Sequence, residues 1–191
     1  ALQDKGQLQA GQSVLIHGAS GGVGTFAVQI ARAMGAEVTG VSSARNHPLV
    51  QSLGANHMID YKQESYAEGN ERYDLIVDMI GNHSLRANSG VLKPGGKLVM
   101  VGGGGEGNWV GPIIRPLAAM AQSPFIEQEL IMLMATLSPD GMQQLSSLMA
   151  TGDLVPVVDR TFRLDQVSDA IAYSESGRAR GKIVITGINP D

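Results

Sequence analysis

The sequence contains no cysteine. Disulfide bonds and thiolate metal sites are therefore excluded, and a reducing cytoplasm is a compatible location. Aromatic residues make up only 4% of the chain, and no apolar run approaches the roughly 18 residues that a membrane span needs. The formal net charge of -4 gives no reason to expect nucleic acid or an acidic membrane surface as a partner. We therefore expect a cytoplasmic globular protein that acts on a small molecule and holds no metal.

Glycine, in contrast, is abundant and is concentrated behind the first apolar run, in the stretch VLIHGASGGVG at residues 14–24. Glycine weakens helices and strands, so its use here calls for another reason. A strand, a glycine turn and a helix bring backbone N–H groups and the positive end of a helix dipole to one point. Larger side chains would keep a pyrophosphate away from that backbone. The stretch predicts a nucleotide-binding loop.

The spacing of this loop fits more than one register. Ala19-x-Gly21-x-x-Gly24 is the dinucleotide fingerprint with alanine in place of its first glycine. Gly18-x-x-x-Gly22-x-Gly24 is the register of short-chain dehydrogenases. No lysine follows the last glycine, as a nucleoside triphosphate loop would require. None of the four tyrosines is followed four positions later by lysine, so the chain lacks the Tyr-x-x-x-Lys pair of short-chain dehydrogenases.

Short β-type runs alternate with helical patterns along the amino-terminal half of the chain. The alternation predicts a doubly wound parallel α/β sheet, the Rossmann arrangement, with a strand–helix–strand extension at the carboxyl end. The predicted strands cover 13–17, 37–42, 57–60, 73–80, 96–102 and 128–134, and the predicted helices cover 22–34, a short stretch closed by Gly54, 113–121 and 138–150. We divide the chain into a Rossmann domain at 1–137 and a carboxyl-terminal piece at 138–191.

The end of the second predicted strand bears on the choice of cofactor. An acidic residue there would bind the ribose hydroxyls of NAD, but this chain has Ser42, Ser43 and Arg45. Hydroxyl donors and a guanidinium suit the 2′-phosphate of NADP. A solvated Arg45 at a helix start is the alternative interpretation.

The same missing acid argues against methyltransferases that use S-adenosylmethionine, although VLKPGGKLVMVG at 91–102 is similar to a stretch common in them. A methyltransferase is kept as an alternative function. A non-catalytic nucleotide-binding module is another. It would bind the cofactor without turnover even within a full-length protein.

Several stretches together resemble the medium-chain dehydrogenase/reductase superfamily, in particular its zinc-independent quinone oxidoreductase-like branch. They run in the same order over nearly the whole chain and are GASGGVGTFAVQIARAMGAEVTGVSS, LGANHMIDY, YDLIVDMIG, LKPGGKLVMVGG and GRARGKIVI. The resemblance implies an NADP-dependent oxidoreductase that transfers hydride between nicotinamide and a quinone, enone or alcohol/carbonyl substrate. It identifies no catalytic residue.

The resemblance also implies which residues bind the cofactor. The pyrophosphate would lie on the glycine loop, and the 2′-phosphate would lie among the residues after the second strand together with Tyr61. Loops after the fourth and fifth strands would line the adenine and nicotinamide ends, with Phe125, Ile126 and Lys182 as weaker candidates. The full cofactor-binding set is Gly18, Ser20, Gly21, Gly22, Val23, Gly24, Ser42, Ser43, Arg45, Tyr61, Ile80, Gly81, Val101, Gly102 and Gly103.

Members of this superfamily place a substrate domain before the cofactor domain, whereas this chain starts with alanine almost at the first strand. We therefore expect a piece of a longer protein, inactive by itself, whose residues 152–186 would complete the substrate domain. Related enzymes form dimers by joining edge strands. The resemblance implies a homodimer through the strand near 128–134.

Overall fold

The computed structural model describes residues 1–101, 128–133 and 138–187. Its main sheet has six strands in the order β3-β2-β1-β4-β5-β6, and every neighbouring pair is parallel. This architecture confirms the predicted doubly wound parallel sheet. The strands are β1 (Ser13–His17), β2 (Glu37–Ser42), β3 (His57–Asp60), β4 (Tyr73–Asp78), β5 (Leu92–Val101) and β6 (Glu129–Leu133).

Five helices accompany the strands in the described residues. They are α1 (Gly24–Ala33), α2 (His47–Ser52), α3 (Leu85–Gly90), α4 (Pro139–Thr151) and α5 (Val167–Glu175). Helix α1 is shorter than predicted because Gly22 and Val23 belong to the preceding loop. Helix α4 begins as predicted, with Ser138 Oγ accepting a hydrogen bond from the Gly141 N–H at 3.1 Å. The helix predicted over 113–121 lies outside the described residues.

The sheet is buried on both faces because its central strands are apolar at successive positions. In β1, Val14 and Ile16 point into one core with Val28 of α1 and Val50 of α2. Leu15 points into the opposite core. Strand β6 follows the same alternation: Ile131 and Leu133 pack against the first core, and Leu130 and Met132 pack against the second. Full burial of such side chains contributes about 1.5–3 kcal/mol each. Because all six strands are parallel, their carboxyl ends lie at the same edge of the sheet.

The carboxyl-terminal part forms a second, two-stranded parallel sheet from β7 (Val158–Arg163) and β8 (Lys182–Thr186), with α5 between them. This is the predicted strand–helix–strand extension. Several of its apolar side chains are exposed, among them Val158, Ile171 and Ile185. In the described residues, no helix is long and apolar enough to cross a membrane.

Hydrogen bonds at two places attach this extension to the Rossmann part. The Gly181 N–H donates to the Ser20 carbonyl at 3.0 Å. Gln29 of α1 forms a pair of hydrogen bonds with Val155: its Nε2 donates to the Val155 carbonyl at 3.0 Å, and its Oε1 accepts from the Val155 N–H at 2.8 Å. Gln29 is buried, so these bonds satisfy groups that water does not reach.

We expect Gln29→Leu to weaken the attachment of residues 154–187 while leaving the six-stranded sheet folded. Leucine has a similar size but cannot pair with the Val155 backbone, and each unpaired buried polar group costs about 1–3 kcal/mol. Hydrogen exchange should show faster exchange at Val155 and in β8, with little change in β1. Gln144→Ala, at an exposed position of α4, is the matched control. Unchanged exchange at Val155 in Gln29→Leu would contradict this role.

Candidate functional site

The candidate site lies at the carboxyl ends of β1, β2 and β4. The strand order reverses between β1 and β4, and open α/β sheets bind ligands in the crevice at such a point. A cleft of about 330 Å³ occupies this edge. Of the predicted residues, it is lined by Gly18, Ser20, Gly21, Ser42, Ser43, Arg45, Tyr61 and Ile80. The structure thus brings together residues from four separate stretches of the sequence.

The glycine loop connects β1 to α1 through a turn that side chains would obstruct. Gly18 has φ +91°, a left-handed conformation that favours glycine. A Cβ at Gly24 would overlap the Gly18 carbonyl and approach the Ala19 Cα to 2.7 Å. The Gly18 and Ala19 N–H groups donate to the Val41 carbonyl at 3.2 and 3.1 Å, which ties the loop to β2. These contacts leave the loop backbone bare at the start of α1.

The remaining predicted loop residues, Gly22, Val23 and Gly24, do not line the cleft itself. Val23 is 54% exposed, and Gly24 is buried as the first residue of α1. A Cβ at Gly22 would lie 3.2 Å from the Gly181 carbonyl, so this glycine permits the close approach of the carboxyl-terminal part. Gly22 therefore serves a packing contact that the sequence did not predict.

The residues after β2 form the second wall of the cleft. Ser42 and Ser43 are buried, and the Ser42 hydroxyl donates to the Ser43 carbonyl at 3.3 Å. Arg45 lies in the short turn that follows, and it is exposed. Tyr61 is 56% exposed and contributes its ring from the loop after β3. Hydroxyl groups and a guanidinium thus face one cavity.

The loops after β4 and β5 are described only in part. Ile80 lines the cleft, whereas Gly81 and Val101 do not. Gly102, Gly103, Phe125 and Ile126 lie outside the described residues. Lys182 begins β8, and its Nζ lies 5.4 Å from the centre of the Phe26 ring rather than in the cleft.

The carboxyl-terminal part supplies cleft residues that the sequence did not predict. Gly177, Arg178 and Ala179, in the turn between α5 and β8, line the cleft opposite the glycine loop. A neighbouring cavity of about 410 Å³ shares Arg45 and Arg178 with it. That cavity is lined by Arg45, Arg160, Tyr173, Ser176, Arg178 and Arg180. One side of the site is therefore strongly positive.

Asp159 offsets part of this charge. Its carboxylate accepts hydrogen bonds from the Tyr173 hydroxyl at 2.7 Å and the Arg180 N–H at 3.0 Å, and the Arg180 guanidinium lies 3.6 Å away. Burial opposes ionisation, but these partners outweigh it and lower the pKa of Asp159. The Arg160 guanidinium lies 4.0 Å from the centre of the Tyr173 ring. In the described part of the chain, Arg45 and Arg178 form no ion pair.

A buried histidine–aspartate pair joins the ends of two neighbouring strands beside the cleft. His17 ends β1 and Asp78 ends β4, and the His17 Nδ1 lies 3.0 Å from the Asp78 Oδ1. The same carboxylate oxygen accepts the N–H groups of Ile80 at 3.0 Å and Gly81 at 2.8 Å. Burial disfavours the Asp78 charge, yet the hydrogen bonds from His17 and from these backbone groups outweigh it and lower the pKa of Asp78. The pair thus holds the loop after β4 in place.

Comparison with known proteins bears on this architecture and this site. A family model described as "Zinc-binding dehydrogenase" matches residues 53–185. The chain belongs to the zinc-binding dehydrogenase family. The matched range runs from the end of α2 to β8, so this family includes the carboxyl-terminal sheet as well as much of the Rossmann part. Membership excludes the methyltransferase alternative.

Individual members of the family are similar over most of this chain. It is 32% identical to the chloroplastic quinone-oxidoreductase QR1 of Triphysaria versicolor over 91% of its length and 52% of that protein. It is 31% identical to the mitochondrial NAD(P)H oxidoreductase RTN4IP1 of Danio rerio over 93% of its length and 49% of that protein. The quinone oxidoreductase structure from Coxiella burnetii matches with a TM-score of 0.82 at 26% identity, over 96% of this chain and 55% of that one. The chain therefore spans about half the length of these dehydrogenase relatives.

The family description implies zinc, and the described residues can be tested against that implication. Within them, no group of three or more histidine, aspartate or glutamate side chains comes together in a way that could hold a metal ion. The whole sequence lacks cysteine. The described residues therefore do not by themselves bring together the three or more such ligands that a zinc site uses.

We expect Asp78→Asn to lower the free energy of unfolding by about 2 kcal/mol at neutral pH, since hydrogen bonds to a charged group contribute about 1.5–3 kcal/mol. Because the pKa of folded Asp78 lies below the ordinary 3.8, this contribution is complete above pH 3.8 and is lost as the pH falls through the lower folded value. Urea unfolding at a series of pH values measures the difference. Asp140→Asn, exposed on α4, is the control. A difference that persists unchanged at the lowest pH would contradict this account.

Proposed function

We propose that this chain is the NADPH-binding part of an oxidoreductase that transfers hydride between the nicotinamide and a quinone, enone or alcohol/carbonyl substrate. The observation that carries the proposal is the composition of the cleft. Gly18 and Gly21 of the glycine loop line it without side chains, and it is also lined by Ser42, Ser43, Arg45 and Arg178. The bound cofactor supplies the hydride chemistry, and the residues of this chain bind and orient it.

The glycine loop fits a pyrophosphate. Gly18 and Gly21 line the cleft without a Cβ, and α1 begins directly after this loop. The positive end of a helix dipole and unpaired N–H groups together favour an anion. No acidic residue lies in the first turn of α1, so no carboxylate there would repel the pyrophosphate.

The opposite wall fits the 2′-phosphate of NADP better than the ribose diol of NAD. Ser43 follows the last residue of β2, where a carboxylate would otherwise accept hydrogen bonds from the diol. Arg45 and Arg178 approach the same cavity from different ends of the sequence. Guanidinium groups bind phosphate oxygens through charge-assisted hydrogen bonds, which are stronger than neutral ones. Arg178 thus extends the set predicted from the sequence.

The relatives support the reaction class. The Triphysaria and Coxiella proteins are named quinone oxidoreductases, and the Danio protein is named an NAD(P)H oxidoreductase. The reaction is proposed for the whole protein, because the matched region is about half of each relative. Cofactor binding is the part that this chain can be tested for alone.

We expect calorimetric titration of the chain to show tighter binding of NADPH than of NADH. Arg45→Ala and Arg178→Ala should each weaken NADPH binding about tenfold, because a lost hydrogen bond to a charged group costs about 1.5–3 kcal/mol. NADH binding should change little in either variant. Arg72→Ala, at an exposed position just before β4, is the control.

Equal affinity for the two cofactors, unaffected by either arginine substitution, would contradict the NADP assignment while keeping a dinucleotide site. Absence of binding to both would contradict the cofactor proposal as a whole. Selective binding of S-adenosylmethionine would contradict the family-based function.

We further propose that two copies of the protein join through β6. Among the described strands, β6 is the last in the sheet and pairs on one side only, with β5. Its side chains from Leu130 to Leu133 are apolar and half-buried. An apolar edge strand with unpaired backbone groups invites pairing with another chain. A twofold axis would place the two β6 strands antiparallel and extend the sheet across both copies.

We expect light scattering to give twice the chain mass for the unsubstituted protein. Alternate residues of a strand direct their N–H groups to opposite sides, so Ile131→Pro and Met132→Pro remove one inward and one outward donor. Of these two variants, the one that lacks the outward donor should become monomeric. It should also lose less thermal stability than the variant that lacks the inward donor. A monomeric unsubstituted chain at tens of micromolar would contradict pairing by this part of the protein.

A further inference from the structure

Asn46 lies where the glycine loop meets the turn after β2, and its side chain bridges them. The residue is 5% exposed and contributes to the cleft wall. Its Nδ2 lies 3.0 Å from the Ser20 Oγ and 3.3 Å from the Ser43 Oγ. Ser20 belongs to the glycine loop and Ser43 follows β2. One amide therefore connects the two walls that we assign to the two phosphates.

This side chain does not serve the helix that it precedes. Asn46 occupies the N-cap position of α2, where asparagine commonly accepts a hydrogen bond from the first turn. No such bond is formed by its side chain. Its Oδ1 is buried without a hydrogen-bond partner among the described residues, and an unpaired buried acceptor destabilises a fold. A role in local stability alone does not account for this arrangement.

The direction of these hydrogen bonds determines whether the Ser20 and Ser43 hydroxyls can donate to a ligand. An amide nitrogen has two N–H donors and no free acceptor, whereas a hydroxyl has one proton and two lone pairs. Both serine oxygens accept from Asn46, so neither hydroxyl proton is directed at the amide. Ser20 and Ser43 both line the cleft. Each hydroxyl is thereby left as a donor toward an occupant of the cleft, as a phosphate requires.

We propose that Asn46 is a positioning residue that sets the Ser20 and Ser43 hydroxyls as donors to the pyrophosphate and to the 2′-phosphate of NADPH. The inference rests on the proposed cofactor and names a further determinant of its binding. The opposite amide orientation would present Oδ1 to both serines and turn their protons away from the cleft. Asn46→Asp imposes that arrangement, because a carboxylate only accepts hydrogen bonds and adds a negative charge beside the phosphates.

The test is a set of dissociation constants for NADPH and NADH. Both cofactors contain the pyrophosphate, so Ser20→Ala should weaken the binding of both about fivefold. Ser43→Ala should weaken the binding of NADPH alone, also about fivefold. Asn46→Ala should weaken the binding of both cofactors, and the loss of affinity should be larger for NADPH than for NADH. Asn46→Asp should have the largest effect, a loss of about a hundredfold for NADPH, since it removes two donors and introduces repulsion. Asn70→Ala, exposed in the loop before β4, is the control.

A double-mutant cycle separates this role from a structural one. If Asn46 acts through the serines, Asn46→Ala should add little to Ser20→Ala/Ser43→Ala, so the affinity losses are not additive. Additive losses, or equal losses for NADPH and NADH accompanied by a lower melting temperature, would overturn the inference.

If Asn46→Ala does not fold, unchanged affinities in both serine variants overturn it instead. An unsubstituted chain that binds neither cofactor would overturn the proposed function and this inference with it. If every variant keeps the affinity of the unsubstituted chain for both cofactors, the inference is overturned but the proposed function is not.

Discussion

The close approach of Gly24 to the Gly18 carbonyl is the constraint on which the rest of the site depends. It brings the start of α1 against the end of β1, so Val28 and Ala31 reach the core while the loop backbone stays open to the cleft. A methyl group at Gly24 would have to displace backbone rather than a flexible side chain. The same few atoms therefore serve packing and binding. A substitution here would separate the helix from the sheet and at the same time move the loop that we propose binds the pyrophosphate.

The carboxyl-terminal sheet depends on this loop as well. The Gly181 N–H pairs with the Ser20 carbonyl, and Gly22 has no side chain to hold that segment away. The turn that carries Arg178 is thereby placed over the cleft, although it lies far from the loop in sequence. Arginine is suited to reach across such a gap because its planar guanidinium stays charged and binds phosphate from several directions. The cleft is complete only when both parts of the chain fold together.

The sequence allowed the sheet to be predicted closely, because each strand is a short apolar run bounded by glycine or polar residues. Helix α3 was not predicted, since its six residues LRANSG show no amphipathic period and its signal is the capping Ser84. The residues after β2 were predicted because parallel strands end at one edge of the sheet. His17 and Asp78 could have been found by the same argument, as both end neighbouring strands. Arg178 and the Asn46 bridge could not, because they depend on tertiary docking and on side-chain orientation that no local pattern encodes.

The charge around the cleft has the opposite sign to the net charge of the chain. The chain carries a formal net charge of -4, yet four arginines gather around one cavity beside the cleft. Asp159 is engaged by Arg180 and Tyr173, and in the described residues Arg45 and Arg178 have no carboxylate partner. Like charges held near one another repel, which raises the free energy of the folded state until an anion enters. In the proposed NADPH complex, the 2′-phosphate would lie beside these guanidinium groups and relieve that repulsion, whereas the ribose diol of NADH would leave it in place. On this proposal, NADPH would be preferred through relief of repulsion as well as through new hydrogen bonds.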